Sequence, residues 1–109
     1  MFINLKDIEL REQIPGLHVR FVHSANMTFA HWEIEEGAKL PEHSHPHEQV
    51  ANMIEGQFEL TLGGETKVLV PGMVAIIPSN VIHSGKAITP CKIIDVFYPI
   101  RQDYLSDSK

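Results

Sequence analysis

Residues 43–49 read HSHPHEQ, with histidines at three alternate positions followed by a glutamate and a glutamine. Neutral imidazoles at such spacing suit a divalent transition ion, and an ion held this way does Lewis-acid chemistry. In a strand, residues i and i+2 share a face about 6.5–7 Å apart, so His43 and His45 converge on one point. His45 and His47 form a second pair of the same spacing, and spacing alone leaves His47 open. A fully extended chain would carry Gln49 roughly 20 Å from His43. Gln49 joins the same ion only if the chain turns between them. Pro46 suits that turn, because it fixes its own φ and donates nothing to a ladder. The sequence thus permits His43, His45 and Gln49 around one ion, but only with a loop at Pro46-His47. His18, His23 and His31 stand singly along other runs. A solitary histidine is ordinarily solvated or structural, so no role is assigned to them.

The second stretch able to do chemistry is IIDVFYPIRQDYL, residues 93–105. Asp95 and Phe97 share parity with Ile93 and oppose Val96 and Tyr98. An aspartate facing a closed apolar interior is costly unless it is paired or wet. Asp95 is therefore either half of a structural pair or a general acid/base beside the ion. Arg101, beyond Pro99, offers a planar fork that matches a carboxylate.

The elements that must hold these residues read as strands. The runs at 17–23 and 27–34 are β-rich and separated by Ser24-Ala25-Asn26. Residues 57–62 alternate, with Phe58, Leu60 and Leu62 on one face. Gly63-Gly64 supplies the positive φ angles of a two-residue hairpin, and residues 65–70 return. Pro71-Gly72 fits the centre of a type II turn. Residues 73–78 predict a strand buried on both faces, and residues 91–98 the last strand. Helix signals are confined to residues 4–10 and 101–105. Short strands punctuated by turns imply an all-β antiparallel barrel or sandwich.

Length and charge bound the rest. The chain has 109 residues, enough for one domain. A net charge of -5, without a Lys/Arg stripe, argues against nucleic acid as partner. Cys91 stands alone, so no intrachain disulfide forms, as expected in a reducing compartment. The sequence shows no signal-peptide run and no stretch that would span a bilayer. A cytoplasmic protein is the expectation.

Two spaced sets of residues resemble the motifs of the cupin superfamily. Gly37, His43, His45, Gln49 and Gly56 match the first motif, with Gln49 where a glutamate usually stands. Gly72, Pro78, Asn80 and His83 match the second, with Asn80 at its usual glycine. Asparagine tolerates a left-handed backbone best among non-glycine residues, so that exchange is mild. The motif's final asparagine is replaced by Ala87. The resemblance implies one domain over residues 1–109, with core motifs at 37–56 and 72–87. It implies a double-stranded β-helix, a jelly-roll-like barrel. It also implies one divalent transition metal (Ni, Zn, Fe or Mn) on His43, His45, Gln49 and His83. With an amide in place of a carboxylate, all four ligands are neutral and the ion keeps its double charge. Glu42, Glu48 and His47 are candidate acceptors for the ligands' outer N–H groups.

Over roughly residues 16–105 the chain resembles the KdgF-type cupins of pectin and alginate breakdown, through HSHPHEQ and through Asp95, Phe97 and Arg101. That resemblance implies ring opening of 4,5-unsaturated uronate monosaccharides to the linear keto acid. Asp95 would move the proton, Arg101 would pair with the sugar-acid carboxylate, and Phe97 would pack on the ring. The alternatives are a dioxygenase, a sugar isomerase or epimerase, and a non-catalytic ligand-binding module. A small barrel also leaves strand edges to be covered. A homodimer, with residues 17–34 pairing or exchanging with a second chain, is expected.

Overall fold

The structure, a computed structural model, describes residues 1–106. Its strands in chain order are β1 (Arg11–Ile14), β2 (Leu17–His23), β3 (Thr28–Ile34), β4 (Lys39–His43) and β5 (Glu48–Glu55). They continue with β6 (Phe58–Leu62), β7 (Glu65–Leu69), β8 (Val74–Ile77), β9 (His83–Ala87) and β10 (Cys91–Tyr98). A 3₁₀ turn at Leu5–Asp7, capped by the Asn4 side chain, and a helix α1 at Gln102–Ser106 stand where the two helix signals fell.

All pairings are antiparallel. One sheet runs β1-β2-β3-β10-β5-β8 and the other β4-β9-β6-β7. Alternation decides what faces the space between them. From β2 come Leu17, Val19 and Phe21; from β3, Ala30, Trp32 and Ile34; from β10, Cys91, Ile93, Asp95 and Phe97. Gly63 and Gly64 have φ of 56° and 88°, the left-handed pair that a two-residue hairpin requires, and Leu62 faces Glu65 across it. Gly72 has φ of 94°, and Met73 N donates to the Val70 carbonyl at 3.0 Å, closing the expected turn. Asn80 has φ of 66°, the left-handed conformation that makes asparagine a fit substitute for glycine there.

One strand differs from expectation. β8 is not buried on both faces, since Val74 is 55% and Ile76 61% exposed. It forms an edge of the larger sheet, and only Ala75 and Ile77 turn inward. The strands at 17–34 pair with each other and with β1 and β10 inside the chain. No helix among the described residues is long and apolar enough to cross a membrane.

The register brings the chemistry to one end of the barrel. His43 of β4 lies opposite His83 of β9, and Leu62 of β6 faces His83 from the other side. Phe97 of β10 lies between Gln49 of β5 and Thr28 of β3.

Candidate metal centre

β4 ends at His43, and the chain bends at Pro46-His47 before β5 begins at Glu48. That bend carries Gln49 back toward His45, with Oε1 3.0 Å from His45 Nε2. One ring nitrogen from each of His43, His45 and His83 lies within 4.8 Å of the others. The His43 and His83 ring centroids are 4.1 Å apart, and His45 and His83 5.0 Å. The pair that converges is His43 and His45. The ring of His47 packs beside His45 at 5.8 Å, outside this group.

Each of the three rings is oriented the same way. Nδ1 of His43 meets the Pro41 carbonyl at 2.8 Å, Nδ1 of His45 the His47 carbonyl at 2.9 Å, and Nδ1 of His83 the Val81 carbonyl at 2.9 Å. A carbonyl only accepts, so each Nδ1 must carry its proton. In the neutral rings Nε2 is then a bare lone pair. Burial holds His45 and His83 below the ordinary histidine pKa, which favours that neutral form; Arg101 adds to the effect at both. The carbonyls two residues away take the place expected for Glu42, Glu48 and the His47 side chain. Both glutamates are exposed, and His47 contributes its backbone instead.

Two features ask for a cation. His83 Nε2 is buried with no hydrogen-bond partner. His45 Nε2 and Gln49 Oε1, both acceptors, face each other at 3.0 Å. Three imidazole nitrogens and an amide oxygen suit a borderline divalent ion. The donor set fits the ion that the motif implies.

Beside this centre, Asp95 is buried and faces the cavity. Trp32 Nε1 donates to its Oδ2 at 2.9 Å, while Oδ1 is buried without a hydrogen bond. The Gln49 amide lies near enough to favour the ionised form without closing a well-formed bond on Oδ1. Burial wins over Gln49, Trp32 and Arg101 and pushes the Asp95 pKa up to about 6. Phe97 packs edge-on to His45 at 5.6 Å.

Arg101 is buried, and its backbone N–H donates to Thr28 Oγ1 at 2.9 Å. Its fork is not left open as expected. Nε and Nη2 donate to the two carboxylate oxygens of Asp103 at 3.0 and 2.7 Å. The Tyr104 and Phe97 rings lie 4.0 and 4.8 Å from its guanidinium carbon. Trp32, Asp103 and Tyr104 are thus site residues that sequence reasoning passed over. Parity carried a signal for Trp32, which shares the inward face of β3 with Ala30 and whose N–H needs a partner there. Trp32, Asp95, Phe97, Arg101, Asp103 and Tyr104 line one cavity with Gln49 and the three converging histidines; its volume, about 310 Å³, suits a small molecule.

A family model described as Cupin domain matches residues 30–97. The structure of KdgF from a Halomonas species superposes with a TM-score of 0.90 at 27% identity, covering 95% of this chain and 97% of that one. An RmlC-like cupin from Shewanella frigidimarina does so with a TM-score of 0.90 at 28% identity, covering 94% of each. A variant of Bacillus subtilis oxalate decarboxylase shares the fold, with a TM-score of 0.81 at 22% identity over 97% of this chain and 30% of that one. A Streptomyces coelicolor protein of uncharacterized function is 25% identical over 85 residues, 77% of this chain and 81% of its own.

Proposed function

The chain belongs to the cupin domain family, and we propose that it is a metal-dependent enzyme that opens 4,5-unsaturated uronate monosaccharides to the linear keto acid. The observation that carries this reading is a buried carboxyl group with one unbonded oxygen, in the same cavity as three converging imidazoles and an arginine. The similarity to KdgF over nearly the full length supports it.

His43, His45, Gln49 and His83 would hold the ion, whose Lewis acidity polarises sugar oxygens without a ligand carboxylate to damp it. The Asp95 carboxylate takes the proton from the hemiacetal hydroxyl as the ring C–O bond breaks. The anomeric carbon becomes an aldehyde, and the ring oxygen leaves as an enolate on the former double bond. A proton returned to carbon turns that enolate into a ketone, so the reaction is an isomerisation with no net gain or loss of atoms. Burial makes the Asp95 carboxyl more basic than an ordinary carboxylate, which suits a group that takes and returns a proton. Arg101 attracts the sugar carboxylate, and Phe97 sheds water from the pocket.

The substrate's double bond is conjugated with its carboxylate and absorbs in the near ultraviolet. Ring opening removes that absorbance. Metal-loaded protein should bleach it faster than the spontaneous background, and a chelator should abolish the gain. A bleaching rate equal to background with metal-loaded protein would overturn this reading.

Trp32 should act as a positioning residue, because its N–H pins Oδ2 and so fixes the plane of the carboxyl group. Trp32→Phe keeps most of the packing and removes one buried hydrogen bond, worth about 1–1.5 kcal/mol. Its kcat should fall about tenfold with KM within about twofold. Equal losses in both constants would point to a merely structural tryptophan.

The homodimer also stands as a proposal. Val22, Phe29, Val96, Val50 and Ile76 are register partners that cross five strands on the outer face of the larger sheet, an apolar row suited to a second copy. Light scattering at micromolar concentration should give the mass of two chains, and a monomer mass would exclude it.

A further inference from the structure

Arg101 supplies fixed positive charge to the cavity wall, yet its fork edge already holds a carboxylate. Asp103, two residues on and at the start of α1, takes both Nε and Nη2. Arg101 cannot easily turn away from this contact. Its backbone is tied to Thr28, a residue of zero exposure, and the Tyr104 and Phe97 rings pack against the guanidinium. Its side chain is only 9% exposed, whereas that of Asp103 is 57% exposed. The rigid partner is therefore the arginine; the aspartate is the more exposed of the two, held besides Arg101 by a backbone N–H of its own turn and by attraction to His47. Asp103 lines the same cavity as Asp95 and the histidines, so its carboxylate stands where a ligand's carboxylate would arrive. Arg101 holds Asp103 below the usual carboxylate range, so the occupant is ionised at neutral pH.

We infer that Asp103 is a specificity-determining residue: it occupies the carboxylate seat of Arg101 and is exchanged for the carboxylate of the ligand. This rests on the proposed reading of Arg101 as the group that receives a sugar acid. A ligand must offer at least as good a two-oxygen acceptor as Asp103 to enter. Neutral sugars and weakly accepting anions gain nothing from displacing it. The displaced carboxylate is more than half exposed and returns to water, while the guanidinium passes from one two-oxygen acceptor to another. The charge of the pocket stays constant through the exchange, which spares the buried guanidinium from ever being unpaired.

The test uses the full metal-loaded chain and binding rather than turnover. The probes are galacturonate, which has no double bond to react, acetate as a bare carboxylate, and galactose as the neutral sugar. Calorimetry on Asp103→Asn should show affinity for the carboxylates raised about three- to fivefold over wild type, because the seat no longer starts filled by an ionised competitor. Affinity for galactose should not change. The gain should vanish in an Arg101→Ala background, which separates carboxylates seated on the arginine from carboxylates on the metal. Asp103→Glu should restore the wild-type affinity. Affinity that falls in Asp103→Asn would make Asp103 a brace for the arginine and overturn the inference. No gain for either carboxylate, or a gain that persists without Arg101, would overturn it as well. A gain with acetate, in a protein that does not bleach unsaturated uronates, would uphold the inference and remove only the ring-opening reading.

Discussion

Asp95→Asn should lose about 10²–10⁴-fold in kcat/KM while keeping a full complement of metal, because it removes the proton carrier and almost no volume. The change leaves most of the local structure intact. The Trp32 N–H still finds an oxygen acceptor on the amide, and the backbone register of β10 between β3 and β5 does not depend on charge. Burial already works against the ionised form of Asp95, so a neutral isostere sheds that penalty, against which its N–H₂ must be placed beside the Gln49 amide. The variant should melt within about 5 °C of wild type. That combination separates chemistry from folding and from metal binding in one protein. Elemental analysis, a thermal melt and the ultraviolet bleaching assay together check it. A variant that retains the wild-type rate would show that Asp95 is only the structural partner of Trp32, and the proton would need another carrier.

What the sequence disclosed follows from the range of each physical signal. Period-two alternation is local, so β2 and β10 begin and end where their apolar runs do, and the glycine pair and Pro71-Gly72 mark the turns from β6 to β7 and from β7 to β8. The same local signal misreads β8. Apolar residues on both faces look like a strand buried on both sides, whereas β8 is an edge whose outer face leaves Val74 and Ile76 exposed. Spacing showed a histidine pair but left His43/His45 and His45/His47 open, and Pro46 only permitted Gln49 to join; the motif resemblance chose among them. His83 was not legible from spacing, because separation along the chain says nothing about which strands pair, and only the motif resemblance brought it in. The bonds from Trp32 to Asp95 and from Thr28 to Arg101 likewise close across long stretches of chain. Asp103 lies close to Arg101 in sequence, yet only the geometry of α1 shows that it fills the arginine's fork.

His45→Ala and His83→Ala should each lose nearly all bound metal, while His47→Ala keeps it. The difference comes from how the rings are held rather than from histidine content. His83 is 1% exposed, its Nδ1 is committed to the Val81 carbonyl, and its Nε2 is left buried and unpartnered. Without an ion that nitrogen is an unpaid desolvation of about 1–3 kcal/mol. What sets this nitrogen apart from other unpartnered ring nitrogens is that it lies within 4.8 Å of a ring nitrogen of both His43 and His45. His45 adds the close approach to Gln49, two acceptors at 3.0 Å that a cation between them would reconcile. Removing either ring leaves too few nitrogens for tight binding, and both variants should fall to background in bleaching as well as in metal content. His47 differs, since its contribution is the backbone carbonyl that orients His45, and alanine retains that carbonyl. Its loss should therefore change metal affinity by less than the roughly 10–100-fold typical of deleting an outer partner. Elemental analysis of the three variants beside His43→Ala decides the matter. Metal lost in His47→Ala and kept in His43→Ala would mean that the ion sits on the other histidine pair, with the Nδ1 hydrogen bonds of His43 and His83 then serving the fold alone.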